Sequence, residues 1–464
     1  MSPALFPDAW YLSLSSRLVP DLDGGYTVAT LARAAQMADA GVDDGRGPLL
    51  LTFDPGVRAD HDVHRVQFVR RGLLADPTRL RNLFDEAATA DGRAAAWLRA
   101  AAHAGDADPA LEYREVADGA VELPVIAGDP DWHISTAPVV VRDRPTAAPR
   151  VLDGFGALYR AWLAHVVAEL RAEIDRPVVV ICESRQLGEL LVGWDDPGVR
   201  LVHAIHTVHL EPPHTPDAAL NPLWRRWFTH AERFDAVLWP TASQASDVAA
   251  RFGASDVHVV APHGVAPAAS VVPAAHRVPG RVAMVGRLAP GKRVDAAIRA
   301  FARVAAAVPG AHLDVHGEGA ERPRLQALID ELGLTARVVL RGRSEAVGRE
   351  LDAAAVYLQT SAFEGQGLAL AEALSHGCPA VVWDIRYGPR DLLRDGGGIL
   401  VPDGDEQALA AAVIRVLTDA ALRTRLADEA VAAARAVDPA HAMDALAAAV
   451  RDVLARSSRR ARPL

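Results

Sequence analysis

Residues 281–293 read RVAMVGRLAPGKR, and residues 354–374 read AAVYLQTSAFEGQGLALAEAL. Each begins as a short apolar run rich in β-branched residues, the signature of a buried strand. Each then breaks at glycines and charged residues, and the second resumes with apolar residues at helical spacing. This strand, turn, helix rhythm continues around both stretches. VDAAIRAFARVAAAV and RPRLQALIDELG read as helices, while HLDVHGEG, RVVLRGR, PAVVWD and GILVP read as strands. Strands alternating with helices predict an α/β fold built on a parallel sheet.

Working outward, residues 265–279 are rich in Ala, Pro and Val without periodicity and read as an interdomain linker. Before them the same rhythm appears again. A strand from Trp10 to Arg17 runs through PDLDGGYT into a helix from Val28 to about Ala40, and Leu49–Phe53 reads as a second strand. From about residue 56 to 150 the texture changes to short alternating runs such as VHRVQFVRR, LEYREVADGAVELPV and WHISTAPVVVRD. These predict a β-rich insertion. The α/β rhythm returns with YRAWLAHVVAELRAEI and PVVVIC. The expected organisation is therefore two doubly wound domains, 1–270 and 278–440, followed by a helix and basic tail over 441–464. Ligands of such sheets sit at the carboxyl ends of the strands, here in the cleft between the domains.

The net charge is -10 and no long basic run occurs, which argues against a general nucleic-acid binder. Arg459, Arg460 and Arg462 make a short basic end, read as a frayed, solvated tail. No stretch of about 18 apolar residues predicts a membrane span, and no signal peptide is read at the N-terminus. Cys182 and Cys378 lie in apolar runs outside any CxxC pair, so they read as buried free thiols in a reducing cytoplasm. Among 49 lysines and arginines, Lys292 is the only lysine. In a chain so biased to arginine, a retained lysine invites a reason that needs a compact ammonium rather than a planar guanidinium.

Four segments carry chemistry. In FEGQGLALAEAL, Glu364 ends a strand and Glu372 lies eight residues on, inside a helix that starts near Gly367. Gly365 and Gly367 permit close backbone approach, and the amides of Gly367, Leu368 and Ala369 form an anion-binding helix start. In VGRLAPGKR, Arg287 sits at a strand tip with Lys292 five residues on, two cations able to neutralise a diphosphate. In PDLDGGYT, Gly24 and Gly25 offer backbone amides opposite these cations. In HAIHTVHLEPPH, His203, His206, His209 and His214 fall within twelve residues. Their placement at a strand end, with no cysteine near, argues against a metal; one facing the cleft could hydrogen-bond a sugar hydroxyl, and at least two of the four read as satisfied structural histidines.

Together VGRLAPGK, the Glu364/Glu372 pair, PHGV at 262–265 and the DGG loop at 23–25 resemble glycosyltransferase family 4, retaining enzymes of the two-domain GT-B fold. WDIRYGPRDLLRDGGGILVP at 383–402, with Thr241 and Gln244, resembles more narrowly the poly(glycerol-phosphate) α-glucosyltransferases of wall teichoic acid and the related O-GlcNAc transferases, which also carry a β-rich insertion. The resemblance implies transfer of a hexose, glucose or N-acetylglucosamine, from a UDP-sugar, without metal or cofactor. Arg287 and Lys292 would bind the diphosphate, Gly25 would approach it, Glu364 would contact the sugar and Glu372 the ribose. His209 is the first choice for a sugar contact and His206 the second. Gln366 replaces the usual Phe of the Glu-Gly-Phe-Gly pattern and would stand among the donor contacts. The acceptor stays open between a polymer, a protein and a small molecule, as does assembly into a homo-oligomer. A sugar-nucleotide 2-epimerase and a non-catalytic partner subunit remain alternatives.

Overall fold

A computed structural model describes residues 4–22, 24–143 and 148–461. Asp23 of the DGG loop and Arg462 of the basic tail lie outside the described residues. The first domain is built on a seven-stranded parallel sheet. Its order across the sheet is His258–Val260, Ala236–Trp239, Val199–Ala204, Val178–Cys182, Trp10–Ser15, Leu49–Thr52 and Leu80–Asn82. The central strands are buried on both faces, which is why VVVIC and WYLSLS carry no polar alternation. Leu14 pairs with Cys182 and Cys182 with His203, so the three central strands end level with one another. The residues that follow them, Ser16, Glu183 and the segment through His206, are thereby delivered to one edge.

The second domain carries six parallel strands in the order Val338–Gly342, His312–His316, Val278–Val285, Ala354–Gln359, Ala380–Asp384 and Gly398–Pro402. Helix Val294–Ala307 buries Ala297, Ile298, Phe301 and Val304 against this sheet, a spacing of three and four that puts them on one face. The two doubly wound domains face each other across a cleft at their strand carboxyl ends, as the α/β reading expected.

The insertion is shorter than expected. Residues from 56 continue the first domain: Arg58–Arg70 is a helix, and Leu80–Asn82 pairs parallel to Leu49–Thr52. VHRVQFVRR is therefore helical rather than a strand. Its valines suggested a strand, but His61 and Phe68, seven residues apart, form the buried face while Val63, Val66 and Val69 stay exposed. The antiparallel sheet itself lies within residues 103–153, in the order His103–Ala104, Arg150–Asp153, Pro138–Val141, Val121–Pro124 and Tyr113–Val116.

Helix Pro439–Leu454 returns to the first domain, burying Met443, Leu446 and Val450 with Tyr11, Val179, Ile181 and Val202. Arg459 and Arg460, expected in a frayed tail, are docked on the first domain. Arg460 is 8% exposed, pairs with Asp235 at 2.9 Å and donates to the carbonyls of Trp194 and Val199. A buried carboxylate that needed a partner outweighed the solvation of the arginine. Among the described residues no helix is long and apolar enough to cross a membrane, and both cysteines are free and buried.

Candidate functional site

Strand Val278–Val285 ends at Gly286, and the chain passes through Arg287 to a single 3-10 turn, Pro290–Lys292. The Gly291 carbonyl accepts from the amide of Ala362, and the Lys292 carbonyl accepts from the Thr360 hydroxyl. These bonds lock the lysine turn to the loop that leaves strand Ala354–Gln359. As a result Lys292 Nζ donates to Glu364 Oε1 at 2.5 Å, and the Ser361 hydroxyl donates to the same oxygen at 2.6 Å. Both side chains of the pair are partly open, 29% for Lys292 and 15% for Glu364. The sole lysine and the loop glutamate, 72 residues apart, thus form one ion pair facing the cleft.

Across the cleft, Gly24 caps helix Gly25–Asp39 at φ 54°, a left-handed conformation suited to glycine. A Cβ built on Gly24 would stand 3.3 Å from Arg287 Nε, and one on Gly25 would stand 3.6 Å from Leu368 Cδ1. The first-domain glycine turn therefore lies directly against Arg287 and against the start of helix Leu368–Ser375. Gly367 opens that helix with left-handed φ and ψ. Two helix N-termini and two cations converge on one space, a concentration of positive potential suited to a diphosphate. Arg287 is exposed, and among the described residues no carboxylate pairs with it.

Glu372 lies in the same helix, half-buried. Burial pushes its carboxyl pKa up, opposed by the nearby His376. Gln366 is placed differently from its expectation as a donor contact. It is 3% exposed, its Oε1 accepts from the His263 amide at 2.7 Å, and its Nε2 donates to the His263 carbonyl at 2.9 Å. The whole amide thus joins the second domain to the PHGV segment of the first. Beside it, Gly365 packs on the His206 backbone so closely that a Cβ there would meet the carbonyl oxygen at 2.4 Å.

The histidines separate clearly. His209, the first choice, is 1% exposed and sits in an aromatic cluster, stacked on Tyr387 with edge contacts to Phe228 and Trp239. Burial pushes its pKa down to about 4. That corrects its assignment to the cleft: a ring so enclosed packs the domain junction instead. His203 is buried beneath Gly188, with its pKa driven down to about 3 by burial. His214 is also buried, tilted against Phe363. His206, the second choice, lines the cleft cavity. Its Nε2 is 2.7 Å from Glu183 Oε2, and its ring stacks on His263. Burial lowers its pKa more than Glu183 raises it, so the ring is neutral and its Nε2–H donates. Among the described residues no group of three His, Cys, Asp or Glu side chains could hold a metal ion.

A buried network behind His206 went unread in the sequence. Arg33 holds both Glu183 oxygens at 2.5 Å and reaches His263 Nδ1 at 2.8 Å, while Ser13 donates to Glu183. Burial alone would raise the Glu183 pKa, but Arg33 and His206 outweigh it and hold the carboxylate ionised. The network fixes the tautomer and tilt of His206 from below. No local motif marks it, since Arg33 and Glu183 are 150 residues apart.

A cavity of about 550 Å³ opens from this point into the first domain, with Arg287 on its rim from the second.

Comparison with known proteins agrees with this fold. Residues 276–433 match the family of glycosyl transferases group 1. The chain is 28% identical over 209 residues to a poly(glycerol-phosphate) α-glucosyltransferase of Bacillus subtilis, a stretch covering 45% of this chain and 31% of that protein. Matched stretches span between 14 and 36% of the lengths of that relative and two other curated relatives. Among solved structures, a Staphylococcus aureus TarM variant in complex with Fondaparinux, α-GlcNAc-glycerol and UDP superposes with a TM-score of 0.72 at 16% identity. It covers 95% of this chain and 99% of its own. The pneumococcal O-GlcNAc transferase GtfA in complex with UDP and GlcNAc gives 0.69 at 16% identity over 97% of this chain and 99% of its own. The fold is the GT-B arrangement with an insertion in the first domain.

Proposed function

We propose that this chain, residues 276–433 of which form a glycosyl transferases group 1 domain, transfers a hexose from a UDP-sugar to an acceptor hydroxyl with retention at the anomeric carbon. The observation that carries the reading is the Lys292–Glu364 pair, set beside Arg287 and opposite the Gly24–Gly25 turn. In this reading the diphosphate takes Lys292 from Glu364, and Arg287 and the amides around Gly25, Gly367 and Leu368 complete its cradle. Glu364, released, accepts hydrogen bonds from the sugar hydroxyls. Glu372 accepts from the ribose hydroxyls, and from the opposite domain neutral His206, its Nε2–H held by Glu183, accepts at Nδ1 from a sugar hydroxyl.

The acceptor oxygen then attacks C1 on the face that the diphosphate leaves. The C1–O bond to phosphate breaks as the new C–O bond forms, and the departing phosphate oxygen takes the acceptor proton. Arg287 and Lys292 stabilise the charge that grows on the leaving group, the task a metal ion performs elsewhere. Glucose and N-acetylglucosamine are the favoured sugars, supported by the relatives' names. A cytoplasmic setting fits the two free thiols. The test is cleavage of a panel of UDP- and GDP-sugars followed by NMR, first without and then with acceptor. An α-linked product from an α-linked donor is expected. Inverted product, epimerised donor in the absence of acceptor, or no cleavage of any donor would each overturn the reading.

A further inference from the structure

The cavity beyond His206 differs from the donor site in character. Phe53, Tyr159, Phe155 and Trp132 form a continuous wall, with ring centroids 4.8 Å apart for Phe53–Tyr159, 6.5 Å for Tyr159–Phe155 and 5.0 Å for Phe155–Trp132. Leu123 and Trp224 extend the wall. Leu123 and Trp132 belong to the insertion, so the cavity is incomplete without it. The turn Trp132–Ile134 is held firmly. Asp131 pairs with Arg226 at 2.6 Å, His133 Nε2 is 3.0 Å from Glu189, and Arg226 also reaches Glu189 at 2.6 Å. Trp132 itself stays half-buried, with a ring surface left to meet a ligand.

The charges on this cavity do not suit a polyanion. Arg185 is committed to Glu189 at 2.5 Å and Glu183 to Arg33, while Arg17 is engaged within the protein. Asp54 adds a negative charge, and Arg287 faces the donor turn. A repeating phosphate chain would need a row of free cations, and among the described residues lining this cavity Arg287, at the donor turn, is a single unpaired cation rather than a row. Its size fits a single compact ligand, inside the ~300–1,000 Å³ typical of small-molecule pockets.

We infer that the acceptor is a small hydroxyl-bearing molecule with an apolar, ring-containing body, held against the aromatic wall with its hydroxyl toward Arg287 and His206, and that the insertion is part of this site. The inference rests on the transferase reading for the hydroxyl's purpose, but the cavity's preference is measurable without turnover. The experiment is equilibrium binding of phenyl β-glucoside, methyl β-glucoside and a glycerol-phosphate trimer to the full chain, the Trp132→Ala variant and the Trp132→Phe variant. Phenyl β-glucoside should bind about tenfold more tightly than methyl β-glucoside, from one added aromatic contact. Trp132→Ala should erase that difference, and Trp132→Phe should keep most of it. Tightest binding of the glycerol-phosphate trimer, or a phenyl preference that survives Trp132→Ala, would overturn the inference. Donor cleavage, measured in parallel on the wild-type chain, reports on the transferase reading alone. Its absence alongside an intact phenyl preference would defeat that reading and leave the cavity assignment standing.

Discussion

At the scale of single residues, the site rests on how environment sets charge. Glu372 is half-buried beside the helix start, and burial raises its carboxyl pKa. If its ionised form receives the ribose hydroxyls, nucleotide affinity falls as pH drops, beginning above the usual carboxylate range of about 4.3. Titration of UDP-glucose, which has no phosphate proton to lose in this range, downward from pH 8 should show this loss, and Glu372→Gln should bind more weakly at pH 8 with a flatter profile. A wild-type profile matching that of the variant would remove Glu372 from the ribose. Lys292 stands out in the sequence through its solitude and Glu364 through its flanking glycines, both local signals, and the structure brings the two together in one ion pair. Which of His206 and His209 lines the cavity was not legible. Two residues separate them on one loop, and only the packing of Tyr387 and Phe228 decides which ring is enclosed. Arg33 and Glu183 gave no signal at all, since their meeting depends on sheet order.

At the scale of elements, local pattern predicted most helices and strands. The helix Arg58–Arg70 is the instructive exception. Three exposed valines gave it a strand-like texture, whereas its stability depends on tertiary partners of His61. Burial would lower the His61 pKa, but hydrogen bonds to Asp54 and Asp85 outweigh it and lift the pKa from 6.5 to about 9. The folded pKa exceeds the unfolded one, so this stabilisation is complete below about 6.5 and is lost as pH rises through about 9. Urea denaturation should give a midpoint that declines between pH 6.5 and 9. His61→Gln should start lower and decline less over that interval. Parallel declines in the two proteins would show that His61 does not carry the effect.

At the scale of the whole molecule, the two domains are held closed by few polar contacts. The Gln366 amide clasps the backbone of His263, Ser243 donates to Asp391 from its amide at 2.9 Å, and Arg343 pairs with Asp21 at 2.5 Å. The two-domain plan was readable from the repeated strand and helix rhythm, but these contacts were not, because each joins residues that only the closed cleft brings together. Gln366→Ala should cost roughly 1–3 kcal/mol of closure by orphaning two buried backbone groups. Small-angle scattering without nucleotide should then give a larger radius of gyration than wild type, with the melting temperature of each domain little changed. An unchanged radius would place the closing force elsewhere.

The cleft is closed around one claim: that Lys292 and Glu364 exchange each other for the phosphate and sugar of a nucleotide donor. Release of UDP from UDP-glucose or UDP-N-acetylglucosamine, compared between wild type and Lys292→Ala at matched folding, tests it directly. A loss on the order of 10²–10³-fold in turnover is expected, the scale seen when charge stabilisation of a leaving group is removed. Turnover of the variant at the wild-type rate would contradict it.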